Sequence, residues 1–221
     1  MAEPDEVTTL GPEPTPEFVE AAFTRSDGSF RFHRWGRPIA PAIIGTNDEG
    51  CRVFENAIKT VAKMAAHPVE DLDPELGANL LVFLVNEWEE LEDAPNLIKL
   101  IPNLTSLIAD LDRIGANQYR VFGFDPVHAI RICTVFLRYD EELKQVSAGT
   151  LALGQAYQSM LLWSDAAFRS ESPLAITPEG LCLIKPSYAS LLRVAYDRTL
   201  PDTATDPAFS HRLAARMSVA V

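Results

Sequence analysis

The apolar positions change period several times along the chain, and each period predicts an element. Phe30-Arg31-Phe32-His33-Arg34-Trp35 alternates apolar and cationic residues, the two-residue repeat of a strand. Pro38 and Pro41 interrupt its continuation towards Ile43 and Ile44, which places this strand at a sheet edge or breaks it in two. Gly45-Thr46-Asn47-Asp48 then supplies a turn with helix-capping residues. Phe54, Ile58, Val61 and Ala65 recur from Cys51 at intervals of three and four, which predicts a helix to about Ala66, ended by His67-Pro68.

Leu80 to Val85 is apolar without a break, the mark of a strand buried on both faces. Glu87 to Asp93 reads as an acidic helix and Leu104 to Ile114 as a short helix closed by Gly115. Gln118–Phe124 and Ala129–Leu137 are strand-like runs joined by Asp125-Pro126-Val127-His128, hence a β-hairpin. An apolar helix follows from Leu143 or Ser147 to Trp163, then a short strand over Leu181–Ile184. Helices over Pro186–Tyr196 and Asp206–Met217 complete the chain. This order predicts an α/β (α+β) fold, a single mixed sheet with helices packed on it.

Residues 1–20 carry six acids, four prolines and no Lys or Arg. Such a segment cannot build a packed core, so residues 1–28 are expected to be a disordered acidic tail and residues 29–221 one domain. The net charge is −12, and removing those six acids leaves −6 for the rest. An acidic chain argues against nucleic acid as a partner, because phosphate binding is driven by clustered Lys and Arg. No apolar run approaches the roughly 18 residues of a membrane helix, and no secretory signal is visible, so no membrane partner is expected. Cys51, Cys133 and Cys182 are odd in number, far apart and set in apolar surroundings, which reads as buried free thiols of a cytoplasmic protein.

A search for chemistry is largely negative. His33, His67, His128 and His211 have no pair at one-turn spacing, so no HExxH zinc helix can form. No GxGxxG, GxxxxGK[ST] or GxSxG occurs. No metal, cofactor or catalytic residue is assigned. Two clusters are left as candidate binding residues. Arg25, Arg31, His33, Arg34 and Arg37, interleaved with Phe30, Phe32 and Trp35, could bind an anion or a nucleic acid strand, or could protect a sheet edge. Glu87 and Glu90 flank Trp88 at the end of the central strand, where carboxylates could hold a divalent ion, or could simply start a helix.

Several segments resemble a bacterial family of unknown function with a zincin-like, metalloprotease-related fold. They are Trp35-Gly36-Arg37-Pro38-Ile39, the strand to Val85, Thr134-Val135-Phe136-Leu137, Leu153-Gly154-Gln155-Ala156, Leu162-Trp163-Ser164-Asp165 and Leu191 to Pro201. The resemblance spans about residues 34–205. It implies a His-Glu-Glu stretch before the Gln-Ala pair, where this chain has Thr150-Leu151-Ala152. The implied scaffold is therefore degenerate, without the metal motif. The expected function is a non-enzymatic binding or regulatory protein with another protein as partner. The alternatives are a hydrolase using the carboxylates beside Trp88 and a divalent ion, or an anion or nucleic-acid module using Arg31 to Arg37.

Overall fold

The protein is described by a computed structural model covering residues 11–219. In chain order its elements are α1 (Pro16–Phe23), β1 (Phe32–His33), β2 (Pro41–Ile44), α2 (Asp48–Met64), β3 (Leu80–Val85), α3 (Leu97–Leu100), α4 (Leu104–Arg113), β4 (Gln118–Phe124) and β5 (Ile130–Arg138). They continue with α5 (Ala148–Ser159), β6 (Leu174–Ile176), β7 (Cys182–Ile184), α6 (Pro186–Ala195), β8 (Thr203–Ala204) and α7 (Phe209–Val219). The α/β class with a mixed sheet is observed. The main sheet runs β2-β3-β5-β4, with β2, β3 and β5 parallel and β4 antiparallel to β5. Two short ribbons, β1-β8 and β6-β7, stand apart from it, so the sheet is not single.

The continuous apolar run of β3 is explained by what covers it. Leu80, Val82 and Leu84 face one core with α2 and α5, whereas Phe83 and Val85 face a second core with Trp88, Leu91 and α4. The period of two sends alternate side chains to opposite faces, and both faces are dry. Helix α2 lays Phe54, Ile58 and Val61 on the sheet, and the Asn47 side chain caps it by accepting the Gly50 N–H at 2.9 Å. Helix α4 buries Leu104, Ile108 and Leu111, again one stripe.

Both readings of the Phe30–Ile44 stretch are realised: it breaks in two, β1 pairs with β8, and β2 becomes an edge of the main sheet. Two other expectations change. The apolar helix stops at Ser159 and begins after Ser147, whose hydroxyl accepts the Thr150 N–H. The expected tail divides as well. Residues 1–10 lie outside the described residues, but Pro16–Phe23 is a helix, capped by the Thr15 hydroxyl and packed against α7. Val19 and Phe23, one turn apart, are fully buried, and this apolar pair overrides the acidic, proline-rich composition.

Candidate functional site

The structure disperses the cationic cluster around Trp35. In an extended segment neighbouring side chains point opposite ways, so Arg31, His33, Arg34 and Arg37 meet different surroundings. Arg34 is buried. Its Nε donates to Asp202 at 2.7 Å, Nη1 to the Ala195 and Asp197 carbonyls, and Nη2 to the Leu200 carbonyl. It ties down the turn after α6 and is closed to a ligand. Trp35 is buried and donates from Nε1 to the Ser159 carbonyl at 2.8 Å. His33 Nδ1 donates to the His128 carbonyl at 2.7 Å, and Arg37 pairs with Asp73 and Glu75. Of the cluster, Arg25 and Arg31 line a large cavity.

The acidic cluster also has a local explanation. The Glu90 carboxylate accepts the Asn86 and Glu87 backbone N–H groups at 3.1 and 3.0 Å, half of a capping box that starts the short 3-10 helix Trp88–Asp93. Trp88 is fully buried and donates to the Ala116 carbonyl. Among the described residues, no three His, Cys, Asp or Glu side chains gather to share a metal ion.

A cleft of about 680 Å³ lies elsewhere, along the outer side of β4. Its floor is the strand from Gln118 to Phe124, whose consecutive residues line it, so it follows the edge of the sheet, where β4 lies. Its other wall is the loop after α5, with Trp163, Asp165, Phe168 and Arg169. Arg25 and Arg31 close one side. The lining thus holds four arginines, Arg25, Arg31, Arg120 and Arg169, against one carboxylate, Asp165, a formal +3 on a protein of −12. The Ser26 hydroxyl, and then the Ser26 backbone N–H that this carboxylate accepts at 2.9 Å, hold its pKa down at about 2.

No known protein family, curated protein or solved structure matches this chain.

Arg120 is the unusual member of the cleft. The residue is half-buried, but its Nε is sealed from solvent and has no hydrogen-bond partner among the described residues. Nη2 donates to Oε1 of Gln155, whose Nε2 donates to Gln118 at 2.6 Å. Among the described residues no carboxylate pairs with the guanidinium, and burial pushes its pKa down to about 10, so it still carries its charge at neutral pH. Trp163 adds a second unpaired donor. It is 7% exposed, stacked between Phe23 and Tyr157, and its buried Nε1 also has no partner among the described residues. Beside it Phe168 has φ +66°, a left-handed conformation that costs a bulky residue about 1–3 kcal/mol. Its ring is held against Trp163 and Tyr188. Unpaired buried donors and backbone strain around one cleft are features of a site kept ready for a ligand.

The sequence reading missed this cleft because its arginines come from three distant segments, of which only that of Arg25 and Arg31 stood out as cationic. One signal was legible: Arg120 shares its strand face with Phe122, so a cation lies on the inward side of a hairpin strand. Another cavity, about 220 Å³ at the carboxyl ends of β2 and β3, is lined by Gly45, Asn86 and Tyr139 with no charged side chain. No helix among the described residues is long and apolar enough to cross a membrane.

Proposed function

We propose that this is a non-enzymatic binding protein whose arginine-lined cleft holds an acidic segment of a partner protein. One observation carries the reading: Arg120 is a charged, deeply set guanidinium with no carboxylate partner among the described residues, in a cleft of net positive charge on an acidic chain. Leaving a buried charge unpaired costs several kcal/mol, a cost that an incoming carboxylate removes. The small size of the positive patch favours a short acidic segment over a phosphodiester strand, which would run on into acidic surface. The zincin-like resemblance belongs to the same proposal. Leu151 and Ala152, where that family has its metal motif, are buried in the core that α5 shares with α2, which supports a scaffold without metal chemistry. The half-buried thiols Cys51 and Cys182 support a reducing, cytoplasmic setting.

Fluorescence anisotropy with a labelled octapeptide of alternating Glu and Val tests the proposal. Binding is expected at low salt, weakening as salt rises. Replacing Arg25 and Arg31 together by Glu should weaken it at least about tenfold, roughly 1.4 kcal/mol, with the circular dichroism spectrum unchanged. Absence of binding, equal affinity in the double variant, or tighter binding of a thymidine oligonucleotide of similar length would each overturn the reading.

A further inference from the structure

We infer that the acidic segment binds as an added β-strand, pairing its main chain with the free edge of β4; this rests on the reading of the cleft as a site for an acidic segment. The pairing within the sheet defines that edge. Arg138 donates its backbone N–H to the Asn117 carbonyl at 2.9 Å, and the register runs Gln118 with Leu137, Tyr119 with Phe136 and Arg120 with Val135. In an antiparallel pair the bonded positions alternate, so Asn117, Tyr119 and Val121 turn their backbone groups towards β5. Gln118, Arg120 and Phe122 turn theirs outward, into the cleft. β4 pairs with β5 alone, and outside that ladder no described residue hydrogen-bonds to the backbone N–H or C=O of these three. Five residues from Gln118 to Phe122 thus offer three donors and three acceptors at the spacing of a strand.

Natural sheets protect such edges with proline, lysine, a covering loop or very short strands. β4 is seven residues long, has no proline or lysine, and exposes Tyr119 and Phe124 by about two-fifths. The loop 162–169 stands off from it across the cleft instead of covering it. A strand laid in this gap would have its own side chains alternate between the two sheet faces. One set would lie on the side of Arg120 and Phe122, and the other on the side of Tyr119 and Val121. Acidic residues at every second position would therefore meet the arginines as one row, while the main chain supplies affinity independent of sequence. The chemistry of the partner follows: an extended, proline-free segment with acids in alternation.

The experiment separates this pairing from simple charge attraction. Two versions of the Glu-Val octapeptide are made, one N-methylated at every Glu and the other at every Val. In a strand the amides of alternate residues point to opposite edges, so one version loses its bonds to β4 and the other keeps them. The expected result is at least about a tenfold loss for one version and near-native affinity for the other. Hydrogen exchange by NMR on the full chain should show the Gln118, Arg120 and Phe122 amides slowed at least about tenfold by the unmethylated peptide, with Tyr119 and Val121 little changed. If both versions bind alike and the three amides stay unprotected while binding remains salt-dependent, strand addition is overturned and the anion cleft stands. If the unmethylated peptide does not bind, both fall.

Discussion

Arg34 shows how a single side chain acquires a role that its neighbours in sequence do not reveal. Its guanidinium closes four hydrogen bonds across more than 160 residues of sequence, three of them to carbonyl groups of the segment 195–200. Arg34→Ala would orphan those carbonyls in a buried place, at about 3 kcal/mol. For a chain of this size that corresponds to a fall of roughly 6–12 °C in melting temperature, measured by thermal denaturation. Arg34→Lys should recover only part of the loss, because an ammonium cannot reproduce the planar fork. His67 supplies a pH effect. Burial, and then Arg34 nearby, depress its pKa, while Asp202 opposes them and Nε2 donates to the Arg37 carbonyl at 2.9 Å. The folded state therefore binds this proton more weakly than the unfolded chain. Its contribution is complete above the ordinary histidine value near 6.5 and is lost as pH falls through that value towards the folded one. Burial shifts His33 in the same direction. The melting temperature should drop from pH 7.5 to 5.5, and the drop should shrink in a His33→Gln/His67→Gln double variant. A drop of equal size in that variant would show that other groups govern the acid response. In the sequence these residues were visible only as cations or histidines. What decides their fate is the placement of carbonyls from remote segments, and no local pattern encodes that.

At the scale of elements, the patterns that were legible are those whose cause is local. The stripe of α2, the unbroken β3 run and the hairpin of β4 and β5 follow from periodicity and turn residues, and all three appear at nearly the predicted bounds. What local pattern leaves undecided depends on a distant surface. Helix α1, expected as part of a tail, exists because α7 covers it, and the break between β1 and β2 that the prolines allowed is fixed because β8 offers β1 a partner. Gly45 joins the two regimes. Its φ of +87° ends β2 in a turn that only glycine adopts freely, and a Cβ there would overlap the Leu84 carbonyl oxygen of the neighbouring strand. Gly45→Ala should therefore cost more than about 3 kcal/mol, combining the left-handed strain with displacement of backbone. Urea denaturation reads this directly. A loss below about 1 kcal/mol would mean that the β2 turn shifts without cost to the sheet.

Across the whole molecule, the folded chain keeps most of its carboxylates outside and collects four arginines at one sheet edge. That segregation is absent from the linear order, where Arg25, Arg31, Arg120 and Arg169 are separated by up to 144 residues. Charge gathered in one place is unfavourable to the free protein when it is also desolvated, so it should be visible as a conflict between stability and binding. Arg120 is the place to measure the conflict, because its charge is deep and, among the described residues, has only the Gln155 amide as hydrogen-bond partner. Arg120→Met keeps much of the length of the side chain and removes the charge. The desolvation cost of the guanidinium then disappears, while Gln155 loses one donor and keeps its bond to Gln118. Replacing a poorly paired buried charge by an apolar side chain of similar volume is often neutral or stabilising by about 1–4 kcal/mol. The orphaned Gln155 oxygen takes back about 1–3 kcal/mol of that. The expected result is therefore an unchanged or slightly higher melting temperature, together with at least about a tenfold weaker affinity for the Glu-Val octapeptide. Residues retained for function at the expense of stability behave in this way. A fall of several degrees with peptide binding intact would reverse the assignment: Arg120 would then serve the packing of β4 on α5, and the positive cleft would be a by-product of the fold.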